Sequence, residues 1–195
     1  MKTGKKVCIA VLSVLVLVAC AVGIIRSTTF TLDVATLPDH ICDFYSIGMP
    51  KRLSPSVHVY DGVELENTTW YLMEIGEDLD LGYVKLERNF LGRYKIVRLS
   101  YGGGSFYDGV VRSGEKDYYF FGGRDVTGRI TKITMTQNGE TCTMENAEGK
   151  THFLFCTELS PQLGDYDFDR SALRFYDKDG NDITAEYDLS GGRIV

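Results

Sequence analysis

Residues Val7 to Ile25 form a run of 19 without a charged or amide side chain, built of Val, Ile, Leu, Ala and Cys with one Ser and one Gly. At about 1.5 Å per residue, a helix of this length is about 28 Å long, close to the hydrocarbon thickness of a bilayer. In lipid every backbone N–H and C=O must be satisfied inside the segment, which selects a helix over a strand despite the many valines. Lys2, Lys5 and Lys6 precede the run and only Arg26 follows it closely. That asymmetry keeps the N-terminus in the cytoplasm and predicts residues 27–195 outside the cell membrane, in an extracytoplasmic setting.

Two other readings share these residues. Leu17-Val18-Ala19-Cys20 resembles the lipobox of bacterial lipoprotein signals, with Cys20 as the lipid-anchor candidate. The apolar stretch runs on through Ile25, however, where a lipoprotein turns polar. Ala19-Cys20-Ala21 also fits ordinary signal cleavage, which would release a secreted product.

Beyond the apolar run the chain is ordinary in composition, with 44% hydrophobic and 25% charged residues over its 195 positions, and disorder is excluded. Of the 21 Lys and Arg, 17 follow Arg26 and face all 27 Asp and Glu, so residues 27–195 carry a net charge of −10. Such a body repels phosphate backbones, and no nucleic-acid partner is expected. Cys42, Cys142 and Cys156 are too few for a disulfide framework; Cys142 and Cys156 could face each other across a hairpin centred on Gly149, or be two small buried hydrophobes.

Residues 29–95 are expected to hold a short helix, Asp39–Ser46, and a small antiparallel sheet, and residues 96–195 a β-sandwich. From Val57 onward β-branched and aromatic residues alternate with polar ones in short runs. The predicted strands are 57–60, 69–75, 81–88, 94–101, 106–112, 117–121, 129–136, 141–145, 151–158, 172–176 and 183–187. Turns are expected at Gly76-Glu77-Asp78, Ser113-Gly114-Glu115-Lys116, Gln137-Asn138-Gly139-Glu140 and Asp177-Lys178-Asp179-Gly180-Asn181, where Gly and Asn tolerate positive φ. Gly102-Gly103-Gly104-Ser105 reads as a hairpin loop, without the following helix a phosphate cradle needs. Without crossover helices the pairing is antiparallel and the fold mainly β. Ile133 and Met135, Phe153 and Phe155, Leu173 and Phe175 share strand parity and mark a buried face, and the turn spacing is that of an immunoglobulin-like sandwich.

The strings Phe90-Leu91-Gly92-Arg93-Tyr94-Lys95, Tyr118-Tyr119-Phe120-Phe121-Gly122 and Arg174-Phe175-Tyr176-Asp177-Lys178-Asp179-Gly180-Asn181-Asp182-Ile183-Thr184 resemble those of small membrane-anchored extracytoplasmic β-rich proteins of Gram-positive bacteria. These proteins are of unassigned function. The resemblance implies a location and a fold, and no active site.

Chemistry has few carriers. The only histidines are His40, His58 and His152, and no HExxH, GxSxG or P-loop motif occurs. His152 shares strand parity with Cys156 and, with Cys142 opposite, suggests a nucleophile and base or a metal site, against which stands a satisfied strand histidine. Asp165, Asp167 and Asp169 would share one face of an extended segment and offer oxygens to a weak Ca²⁺ site; the plain alternative is an acidic loop after Pro161 and Gly164. Asp177, Asp179, Asn181 and Asp182 have their Gly at the fourth position, not the sixth of an EF-hand, and read as a turn. Twelve Tyr are present. Tyr101, Tyr107, Tyr118 and Tyr119 around the Gly-rich loop form a candidate ligand surface for an envelope protein or a glycan, with strand packing as the plain alternative. The expected function is a membrane-anchored binding or accessory module, not an enzyme. The alternatives are a lipoprotein with a structural envelope role and a divalent-metal-dependent surface enzyme using those aspartates or His152.

Overall fold

The computed structural model describes residues 2–51, 53–102, 104–137, 139–145, 150–160, 170–189 and 191–193. Helix α1 runs unbroken over Lys2–Thr28. Its window Val11–Thr28 has a mean hydropathy of 2.2 and none of it is buried. A helix apolar on every side has no polar face to give to water, and an anchor and a signal sequence share this form.

Helix α2, Leu37–Tyr45, opens with a Pro in its first turn and Asp39 near its positive end. It buries Leu37, Ile41 and Cys42, a stripe at helical spacing. Sheet 1 is an antiparallel meander of β1 (Val57–Leu65), β2 (Thr68–Ile75), β3 (Asp80–Arg88) and β4 (Tyr94–Tyr101). Sheet 2 contains β5 (Phe106–Ser113), β6 (Lys116–Arg124), β9 (His152–Glu158) and β11 (Gly191–Arg193), in the order β11-β5-β6-β9. Sheet 3 contains β7 (Lys132–Gln137), β8 (Glu140–Glu145) and β10 (Leu173–Tyr176), in the order β10-β7-β8.

Strand parity stacks these elements into four layers. In β2, Trp70 and Leu72 face sheet 2, where Tyr107, Phe120 and Leu154 complete a core. The opposite parity, Met73 and Ile75, packs with Val84 and Leu86 on Leu37 and Ile41 of α2. Sheet 2 is likewise covered twice, because Phe106, Tyr119, Phe121 and Phe153 pack on Ile133, Met135, Leu173 and Phe175 of sheet 3. The order is α2, sheet 1, sheet 2, sheet 3. Strands apolar at both parities are what a doubly covered sheet requires.

The antiparallel, mainly β expectation holds, as does most of the buried face of the later half: Ile133, Met135, Phe153, Leu173 and Phe175 are each at most 1% exposed, while Phe155 is only half-buried against them. Several details differ. The expected border at 95/96 falls inside β4, whose last residues still pair with β3. Gly102–Ser105 is not a hairpin loop, since β4 and β5 belong to different sheets and the segment carries the chain from one layer to the next. Residues 183–187 form a 3-10 turn at Thr184–Glu186, with one bridge from Asp182 to Tyr176. β11 pairs parallel with β5. Cys142 and Cys156 are both free, because β8 pairs with β7 in sheet 3 and β9 with β6 in sheet 2.

Candidate functional site

Two constructions stand out, one where α1 meets the body and one buried between sheets 1 and 2. At the first, Phe30 and Tyr94 exchange both backbone hydrogen bonds, at 2.9 and 2.8 Å, directly after the helix. The neighbouring Arg93 reaches back along this bridge. Its guanidinium donates to Thr29 Oγ1 at 3.0 Å, Thr31 Oγ1 at 3.3 Å, the Arg26 carbonyl at 3.4 Å and the Thr29 carbonyl. A cation bonded to carbonyls at a helix C-terminus satisfies orphan acceptors and complements the dipole. The turn between β3 and β4 sets Arg93 in place: Asn89 Oδ1 accepts from the Leu91 and Arg93 amides, and Gly92 takes φ +71. Between α1, α2 and β4 lies an open groove of about 620 Å³, lined by Ser27, Thr28, His40, Phe44, Ile47 and Lys95. His40 stacks on Phe30 at 4.0 Å within it.

The second construction centres on Glu74, which is 3% exposed and shares its face with Trp70 and Leu72. Its Oε1 accepts from Arg124 Nη1 at 2.8 Å and His152 Nε2 at 3.0 Å, and its Oε2 from the Tyr60 hydroxyl at 2.7 Å. Tyr60 stacks on the His152 ring at 3.8 Å, nearly parallel. Burial alone would raise the Glu74 carboxyl, but hydrogen bonds from Tyr60, His152 and Arg124 outweigh it and hold the group below its usual range. Burial, aided by the bond to Glu74, pushes Tyr60 up to about 12, so its hydroxyl stays a donor. Glu74 is thus an ionised carboxylate clasping β1 and β2 of sheet 1 to β6 and β9 of sheet 2. A comparable tie lies deeper in the molecule, where Arg170 Nε donates to Asp108 Oδ1 at 2.8 Å and Tyr119 donates to Asp108 Oδ2 at 3.3 Å.

The four tyrosines expected to share a surface are distributed through the layers. Tyr119 is fully buried between sheets 2 and 3, and Tyr107, 2% exposed, lies between sheets 1 and 2 with its hydroxyl on the Leu81 and Gly102 carbonyls. Tyr118 is half-buried against that same core. Tyr101 alone is exposed, on Tyr45 of α2 at 5.8 Å between rings. Cys20 lies exposed on α1. Asp165, Asp167 and Asp169 fall outside the described residues. Asp177 is occupied by its own turn, accepting from the Asp179 and Asn181 amides. His152 and Cys156 share a parity, but Cys142 packs in the core between sheets 2 and 3, so the three do not converge. Burial raises both thiols, Cys156 to about 12, which leaves them poor nucleophiles. Among the described residues no group of three or more His, Cys, Asp or Glu is placed to hold a metal ion.

No protein-family model matches the chain, and neither a curated protein nor a solved structure does. Sequence reasoning singled out His152 but missed Glu74 and Arg93. The visible signal for Glu74 was a carboxylate at the buried parity of Trp70-Tyr71-Leu72-Met73-Glu74-Ile75; Arg93 gave none.

Proposed function

We propose that the chain is a single-pass, membrane-anchored binding or accessory module whose acidic body works outside the cytoplasm. One observation carries this reading: an unburied apolar helix long enough to cross a bilayer passes into the body with only Thr29 between its last residue and the paired Phe30. The cations before the apolar run support an inside N-terminus. The partner such a module would meet is an envelope protein or a glycan. The likeness to membrane-anchored proteins of Gram-positive bacteria and the immunoglobulin-like arrangement of sheets 2 and 3 belong to the same proposal.

Protease added to intact cells should remove the body and spare a cytoplasmic control protein; a protected body overturns the topology. Metabolic lipid labelling that disappears in Cys20→Ala would replace the uncleaved anchor by a lipoprotein with a structural envelope role. A rise in melting temperature with Ca²⁺ would favour the metal-dependent alternative through Asp165, Asp167 and Asp169.

A further inference from the structure

Resting on the anchor reading, we propose that the body is seated on the lipid surface by exposed apolar side chains near the exit of α1: Phe90 and Leu91 in the turn that carries Arg93, and Ile47 in the groove. Phe90 is 83% exposed, Ile47 73% and Leu91 41%. Exposed apolar groups singly scattered are ordinary, but several gathered in one place mark a contact surface. Here their position identifies the contact. The apolar run ends at Ile25, so Arg26 lies at the boundary of the hydrocarbon, and the headgroup layer beyond it is about 5–7 Å deep. The Arg93 guanidinium touches the Arg26 carbonyl, and Phe90 is three residues from Arg93, a chain reach of about 10 Å. Ile47 lines the same groove as Ser27 and Thr28, the last residues of α1.

The junction has no slack that would let the body drift away. Thr28 ends the helix, Phe30 is already paired with Tyr94, and Arg93 bonds both sides of the joint. A body with net charge −10 is repelled by an anionic leaflet, so contact needs apolar insertion. Among the described residues the groove itself brings no spare cation, since Lys95 is paired with Glu87 at 3.1 Å and Asp43 shares the lining, so the seating rests on the apolar side chains. The occupant is therefore the bilayer that holds α1, not a protein ligand.

The test uses the full chain in vesicles of phosphatidylcholine and phosphatidylglycerol, with lipids brominated near the top of the acyl chains. Trp70, the one native tryptophan, is 1% exposed and provides a buried background. Phe90→Trp should add fluorescence that is blue-shifted and loses intensity in the brominated vesicles. Val126→Trp is the control: Val126 is 82% exposed in the loop after β6, whose Arg124 donates to the Leu79 carbonyl. Leu79 and Asn89 flank β3, whose nine residues span about 27 Å. Its fluorescence should stay red and unquenched. If the chain floats with the vesicles while Phe90→Trp remains water-exposed, or if both variants are quenched alike, the seating fails and the anchor stands. If the chain does not float, both fail. Ile47→Trp repeats the measurement from the groove.

Discussion

Glu74 shows how far a single residue could be read from the chain. Its parity placed it with Trp70 and Leu72 on a core face, which is where a carboxylate needs partners. Those partners lie at positions 60, 124 and 152, on three other strands, and only the sheet order brings them together. Glu74→Ala would strand the Tyr60 hydroxyl and the His152 ring N–H, at a cost of about 1–3 kcal/mol in urea unfolding. The pH dependence has a fixed sign. Because the folded-state value lies below the ordinary 4.5, the contribution of Glu74 is complete above pH 4.5 and is lost as the pH falls through the depressed value. The stability gap between the wild type and Glu74→Gln should therefore close on acidification below that point. A gap that widened there would contradict an ionised Glu74. Cysteine spacing was less informative, since 13 intervening residues suited a hairpin and the chain instead changes sheets between β8 and β9. Thiol titration of the unfolded chain under non-reducing conditions should find Cys142 and Cys156 both free, and slow to react while folded.

At the scale of elements, the turns were the most legible part. Gly76, Gly114, Gly139 and Gly180 all take the positive φ that their positions between strands require. The segment 183–187 looked like a strand because Ile and Tyr alternate with polar residues. Asp182 instead accepts from the Thr184 amide and hydroxyl, a local bond that tightens the backbone into a 3-10 turn. β3 and β4 carry a stricter requirement. Gly82 lies opposite Tyr101, and a Cβ there would strike the Ser100 carbonyl. Gly82→Ala should therefore displace the β3–β4 pairing and cost about 1–3 kcal/mol, the range for inserting atoms into packed structure. The union of α1 with β4 depends on Arg93, which reaches four acceptors on residues 26–31. Arg93→Ala should speed amide exchange at Phe30 and Tyr94 while leaving β2 and β6 protected; unchanged exchange at the bridge would show that the two backbone bonds suffice without the guanidinium.

The layering belongs to the whole molecule, and it was the least legible feature. Apolar residues at both parities, as in Tyr118-Tyr119-Phe120-Phe121, announce a strand buried on two sides without saying what covers each. That is decided by which sheet each strand joins, through pairings such as Tyr119 with Thr157, far apart in sequence. The halves on either side of residue 95 were expected to pack together; had they shared no sheet, the chain could unfold in two steps. The structure instead makes sheet 2 common to two cores: Leu72 and Leu154 pack against Gly122 from one face, while Phe106 and Phe153 close over Gly123 from the other. Neither core survives the loss of sheet 2. Among the described residues none of the three clusters draws a side chain from α1, so a chain starting at Ser27 retains all three cores and the whole Arg93 joint except the Arg26 carbonyl. Such a chain should no longer float with vesicles, yet should unfold in urea in one transition. Trp70 fluorescence, which reports the core between sheets 1 and 2, should coincide with far-UV circular dichroism, which reports all three sheets. If the fluorescence transition instead precedes the other by a clear margin in urea, sheet 1 is a separate cooperative unit, and sheet 2 does not couple the layers as its double burial requires.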